Sequence, residues 1–136
     1  MLLDNFYSII DQGETDDAHG AVDNPVRKFI FTIKLNPEHP IYKGHFPGNP
    51  VVPGVCQVQM IKELTSVILN KGLVIYKSDN IKFLSVIIPT DACILKVNID
   101  IKEKDPGFWH VASVILRDDQ VFLKFKGVMR LYSKQI

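Results

Sequence analysis

The chain has 136 residues, 46% of them apolar, with 16 Lys and Arg against 15 Asp and Glu for a net charge of +1. That length suits a single domain, residues 1–136, and leaves no room for a cofactor domain beside a substrate domain. The charge balance removes the electrostatic case for nucleic acid, and no apolar run reaches the ~18 residues a membrane span needs.

The opening MLLDNFYSIIDQGE lacks the basic stretch and small-residue cleavage site of a signal peptide, so a cytoplasmic protein is expected. Residues 2–10 alternate loosely, as a short helix packing Leu2, Leu3 and Phe6 would. Residues 11–25 are acidic and poor in large apolar side chains, which predicts a loop. Residues 26–35 predict a strand, with Phe29, Phe31, Ile33 and Leu35 on one face.

The stretch NPEHPIYKGHFPGNPVVPG follows, and its five prolines and three glycines predict no regular structure before about Pro53. From Pro53 to Gly72 the pattern predicts one long helix, apolar nearly all round and therefore buried. Gln59, Glu63, Ser66 and Asn70 form a polar stripe on one of its faces. Beyond Gly72 the chain predicts strands at 73–88 (interrupted near Asp79-Asn80), 92–103, 108–117 and 121–131. The sum is an α+β domain, one long helix wrapped by five or six mostly antiparallel strands.

His45 follows a glycine, and prolines at 47, 50 and 53 restrict the backbone around it, which suits a loop that must hold one imidazole still. Gly54, at the helix start, leaves backbone N–H groups free to meet a developing negative charge. A base near such donors can remove a proton α to a carbonyl, although a histidine satisfied by its own surroundings fits the same spacing. Cys56 and Cys93 match no metal or redox spacing and are expected to be reduced core thiols. Cys56, near the helix start, could alternatively carry a depressed thiol pKa. His39 is expected to be exposed, and His110 structural.

The run His45-Phe46-Pro47-Gly48-Asn49-Pro50-Val51-Val52-Pro53-Gly54-Val55 resembles the signature of the hot-dog-fold 3-hydroxyacyl-[acyl-carrier-protein] dehydratases. Lys82-Phe83 followed by Ile88-Pro89-Thr90-Asp91 is similar to that family's next segment, with Thr90 where glycine is usual. The resemblance implies a curved antiparallel sheet around a central helix, a homodimer with acyl tunnels at its interface, and no cofactor or metal. The implied substrate is a 3-hydroxyacyl thioester on the phosphopantetheine arm of acyl carrier protein, and the product a trans-2-enoyl thioester. Carried over, His45 takes the C2 proton, Gly54 N–H polarises the thioester carbonyl, and the Val51 carbonyl orients the imidazole. Phe46, Pro53, Val55 and Phe83 join Val51 and Gly54 as substrate-binding candidates.

The family's acidic partner, fourteen residues after the histidine, is here Gln59, and the glutamine that commonly follows that acid is here Glu63. Gln59 and Glu63 therefore read as the family's pair in reversed order, one turn apart on one face. Either Glu63 supplies the proton through a water held by Gln59, or the acid is lost and Glu63 is a solvated helix residue. The departure leaves two alternatives to dehydration: a thioesterase of the same fold, or a catalytically weak acyl-binding subunit. The rows Lys124/Lys126/Arg130 and Lys96/Lys102 are expected to be solvated strand faces, or else a patch for an acidic carrier protein.

Overall fold

In the computed structural model of the chain, residues 1–21, 24–44 and 48–132 are described, without the side chains of 16–21 and 24. The elements run β1 (Tyr7–Ala21), β2 (Asn24–Leu35), α1 (Ile41–Gly44), α2 (Gly54–Leu69), β3 (Leu73–Phe83), β4 (Ile94–Asp105), β5 (Phe108–Arg117) and β6 (Gln120–Leu131). The strands make one sheet in the order β1-β2-β4-β5-β6-β3, and every neighbouring pair is antiparallel. One long helix against a curved antiparallel sheet is the hot-dog fold that the motif implied.

Alternation dictates which face of the sheet meets the helix. In β4, Leu95, Val97, Ile99 and Ile101 are buried, while Lys96, Asn98, Asp100 and Lys102 between them point away. β5 repeats the pattern with Trp109, Val111, Ser113 and Ile115. From α2, Met60, Ile61 and Leu64 are fully buried in the same cluster as these residues. Each such side chain contributes ~1.5–3 kcal/mol over its exposed state, so this layer is what α2 adds to stability.

The first quarter of the chain departs from its sequence reading. Residues 2–6 form a turn, not a helix: Phe6 N–H donates to the Leu2 carbonyl, and Asp4 takes a positive φ of 76°. Residues 11–21 lie in a strand, not a loop, because backbone pairing with β2 carries β1 well past the core. An edge strand satisfies its backbone on one neighbour and needs no apolar side chains there, so its sequence carries no period-2 signal. The register shifts between Ile9 and Asp11 and between Thr15 and His19 also break any alternation.

Smaller differences have equally local causes. The Pro-rich stretch contains the single turn α1, whose entry follows Pro40. Helix α2 ends at Leu69, capped by left-handed Asn70 (φ 52°), whose N–H donates to the Ser66 carbonyl. Val55 and Val67 of α2 are 77% and 38% exposed, since a sheet on one side of a helix cannot cover its whole circumference. Strand β3 stops at Phe83, with register shifts on either side of Ser78, and residues 84–93 leave the sheet.

Gly127 of β6 sits where β3 shifts register, and a Cβ there would lie 2.5 Å from the Lys77 carbonyl oxygen and 2.8 Å from the Phe125 ring. The carbonyl is backbone and cannot swing aside. Gly127→Ala is therefore expected to destabilise the fold by about 1–3 kcal/mol, read as a lower denaturant midpoint at an unchanged m-value.

Candidate active site

The helix entry is built by Pro53, which takes an extended conformation (φ −60°, ψ 143°) and makes Gly54 the first helical residue. Its carbonyl accepts from Cys56 N–H (3.0 Å) and Gln57 N–H (3.1 Å). Among the described residues no side chain caps this end, and the first amides, which have no intrahelical acceptor, carry the positive end of the helix dipole. The strand-like approach is pinned on both sides. Val52 N–H donates to the Ile87 carbonyl (2.9 Å), and the buried Gln57 amide donates to the Val52 carbonyl (3.3 Å).

Phe83, at the end of β3, lies directly against this entry, its ring 2.7 Å from where a Gly54 Cβ would stand. The structure thus brings together Gly54 and Phe83, two candidates 29 positions apart in sequence. Val51 and Pro53 are half-buried beside them, and Val55 is exposed on the first turn. His45 and Phe46, with Pro47, lie outside the described residues.

Gln59 and Glu63 do pair: Gln59 Nε2 donates to Glu63 Oε2 at 2.7 Å. The same carboxylate also accepts Leu2 N–H at Oε2 (2.8 Å), and Leu3 N–H (2.9 Å) and Tyr7 O–H (3.1 Å) at Oε1. Glu63 is only 4% exposed, which overturns the reading of a solvated helix residue. Burial pushes its carboxyl up. The hydrogen bonds, Leu2 N–H foremost and then Gln59, Tyr7 and Leu3, outweigh that and leave it below the usual carboxylate value. Tyr7 is driven the other way, first by burial and then by the Glu63 charge, so its hydroxyl keeps its proton.

A carboxylate held ionised by four donors is in the wrong state to give a proton, which opposes the expectation that Glu63 is the acid. Its geometry makes it an anchor. Gln59, with its N–H committed to Glu63, keeps its carbonyl oxygen as the end available to a ligand. Tyr7 and the Leu2 and Leu3 amides were not legible as partners. Contacts across about sixty residues leave no periodic trace, and the only hint is a phenol within an apolar stretch.

The other candidates are structural. His39 is half-buried, not exposed; its Nδ1 accepts Ile41 N–H at 3.1 Å, and its ring meets Phe6 edge-on at 5.3 Å. Burial raises the Cys56 thiol, the opposite of activation. Among the described residues, no group of three His, Cys, Asp or Glu is placed to hold a metal ion.

Comparison with known proteins agrees with this architecture. The family model described as ApeI-like, ApeI dehydratase, matches residues 21–122, and the chain belongs to that family. The 3-hydroxyacyl-[acyl-carrier-protein] dehydratase FabZ of Lactobacillus helveticus is 30% identical over 111 residues, 76% of this chain and 71% of that protein. Among solved structures, an uncharacterised Erwinia carotovora protein superposes with a TM-score of 0.63 at 20% identity, covering 91% of this chain and 94% of its own. The dehydratase heterocomplex ApeI:P of Xenorhabdus doucetiae gives 0.61 at 17%, covering 90% and 96%.

Because the Glu63 carboxyl is lowered in the folded state, its contribution to stability is complete above its ordinary value of 4.5 and fades as pH falls below that. Glu63→Gln is expected to flatten that acid limb in thermal melts between pH 3 and pH 7 (roughly, the range over which carboxylates titrate). Glu63→Ala, which orphans buried donors, is expected to cost about 2–4 kcal/mol. A second expectation concerns Gly54: the exposed Phe83 ring can swing away, so Gly54→Ala should leave the melting temperature within about 2 °C. It should change the near-ultraviolet aromatic signal.

Proposed function

We propose that the chain dehydrates a 3-hydroxyacyl thioester carried on the phosphopantetheine arm of acyl carrier protein, giving the trans-2-enoyl thioester. The observation that carries this reading is the motif from His45 to Val55 leading into an uncapped helix N-terminus at Gly54, within a chain of this family. Gly54 N–H would donate to the thioester carbonyl, where negative charge gathers as the C2 proton leaves. Phe83 and Val55 would lie along the acyl chain, with Val51, Phe46 and Pro53 shaping the entry.

His45 takes the C2 proton. With Gln59 at the family's acid position and Glu63 held ionised, the imidazolium so formed is the donor for the departing hydroxyl. The C2–H bond breaks, C2=C3 forms, and the C3–O bond releases water, leaving the imidazole neutral again. Gln59 supports this by accepting the 3-hydroxyl hydrogen at its free carbonyl oxygen, which turns an oxygen lone pair toward His45.

The site is completed in a homodimer. Among the described residues β3 ends the sheet, and its outer edge is unpaired. Leu84 (53% exposed), Val86 (65%) and Ile88 (37%) follow it beside Phe83, an apolar strip that a second copy would cover. No described helix is long and apolar enough to cross a membrane; placement in the cytoplasm belongs to this proposal.

The test is enoyl formation against free-thiol release on a 3-hydroxyacyl thioester. Wild type is expected to form enoyl product, and His45→Ala to lose about 10²–10⁴ in rate. Gln59→Glu, which restores an acid, is expected to raise the rate. Thiol release without enoyl formation would assign thioester hydrolysis instead, and an unaffected His45→Ala would remove the mechanism.

A further inference from the structure

The face of the sheet turned away from α2 carries a hollow of about 490 Å³. Its walls follow from the strand register. One transverse row reads Lys82 opposite Lys124, then Val114, Asn98 and Ile30 across β3, β6, β5, β4 and β2. The adjacent row reads Asn80, Lys126, Ala112, Asp100 and Lys28 on the same strands. These residues alternate with the buried Val97, Ile99, Val111 and Phe125, so they lie on the opposite side of the sheet from the helix entry.

Two features of this face are unfavourable unless something occupies it. Lys82 and Lys124 stand directly opposite each other on paired strands, with Lys126 the next outward residue, and like charges so placed repel. Among the described residues the one carboxylate in the hollow is Asp100, which lies 3.7 Å from Lys28 Nζ at the other end. Among the described residues, none of Lys82, Lys124 and Lys126 has a carboxylate in ion-pairing reach. Between the two ends runs an apolar floor of Ile30 (38% exposed), Ala112 and Val114.

We infer that this hollow binds a single-chain amphiphile with a carboxylate or phosphate headgroup. The headgroup sits among Lys82, Lys124 and Lys126, and the chain lies over Val114 and Ala112 toward Ile30. The volume is that of a small-molecule site, ~300–1,000 Å³. A second copy of this chain is not the occupant, because a two-fold contact centred here sets hollow against hollow and fills neither. A polynucleotide would leave the apolar floor unused. The site is separate from the proposed catalytic one and does not rest on it.

The test uses the whole protein with labelled methyl groups, titrated with dodecanoate, dodecyl phosphate, dodecanol and inorganic phosphate. The two anionic amphiphiles are expected to shift the Val114 and Ala112 methyl signals, each at least about tenfold more tightly than dodecanol or phosphate alone. Dodecanoate and dodecyl phosphate distinguish the two headgroups. Lys82→Ala/Lys124→Ala is expected to weaken binding by about tenfold or more while raising the melting temperature of the unliganded protein, since it removes a repulsion. His45→Ala is expected to leave these shifts unchanged, which separates this site from any acyl tunnel. Equal binding by wild type and the double variant overturns the inference. So do methyl signals that stay still, or that move only with an acidic protein.

Discussion

The Glu63 carboxylate ties together the first seven residues of the chain, the edge strand β1 and the central helix. Burying a carboxylate is costly unless its lone pairs are filled. Here two backbone amides, a phenol and a side-chain amide fill them, two donors to each oxygen. Each donor is in turn constrained. Leu2 and Leu3 can present adjacent N–H groups only because a turn at Asp4 folds the segment back, and that turn delivers Tyr7 into β1. The apolar face of α2 sets the helix beneath the sheet, and this junction fixes it further, together with the Gly54 entry about 1.4 turns from Gln59.

The parts of the fold legible in the sequence are those whose side chains answer to one buried face. β4 and β5 alternate cleanly because each crosses the middle of the sheet, where one face meets α2 and the other meets solvent, whereas β6 also buries Phe122 and Val128 from its other face. Helix α2 was legible for its length and its apolar content, and its paired Gln59 and Glu63 for their spacing of one turn. β1 was not, because it is held by the backbone of β2 and its outer half has no core to face. The Gly54–Phe83 contact and the capture of Glu63 were invisible for another reason. They depend on where two distant segments cross, and composition and periodicity describe only near neighbours.

The motif carried the site further than periodicity could, yet it identified a position and not a chemical state. The Glu63 carboxylate is four residues, about 6 Å along the helix axis, from the position where the family places its acid. From the sequence, that shift reads as a relocated acid. In the fold, the displaced carboxylate meets the N-terminal segment, and the donors there hold it ionised. Whether a carboxyl can act as an acid is decided by what surrounds it. The surroundings come from residues that share no motif with it.

The same separation of net and local quantities governs the charge. A chain at +1 gives no sign of an electropositive surface, yet the strand register collects Lys82, Lys124 and Lys126 on one face. Asp11, Glu14, Asp118 and Asp119 sit on β1 and at the β5–β6 turn, while Asp79 pairs with Lys77 and Asp100 with Lys28. An antiparallel sheet makes this sorting simple, since each outward residue is fixed opposite a chosen neighbour on the next strand. A lysine opposite a lysine is therefore a property of the register and not of the composition. It persists in the folded state at a cost to the empty sheet, and only an anion between the two ammonium groups would turn that cost into binding.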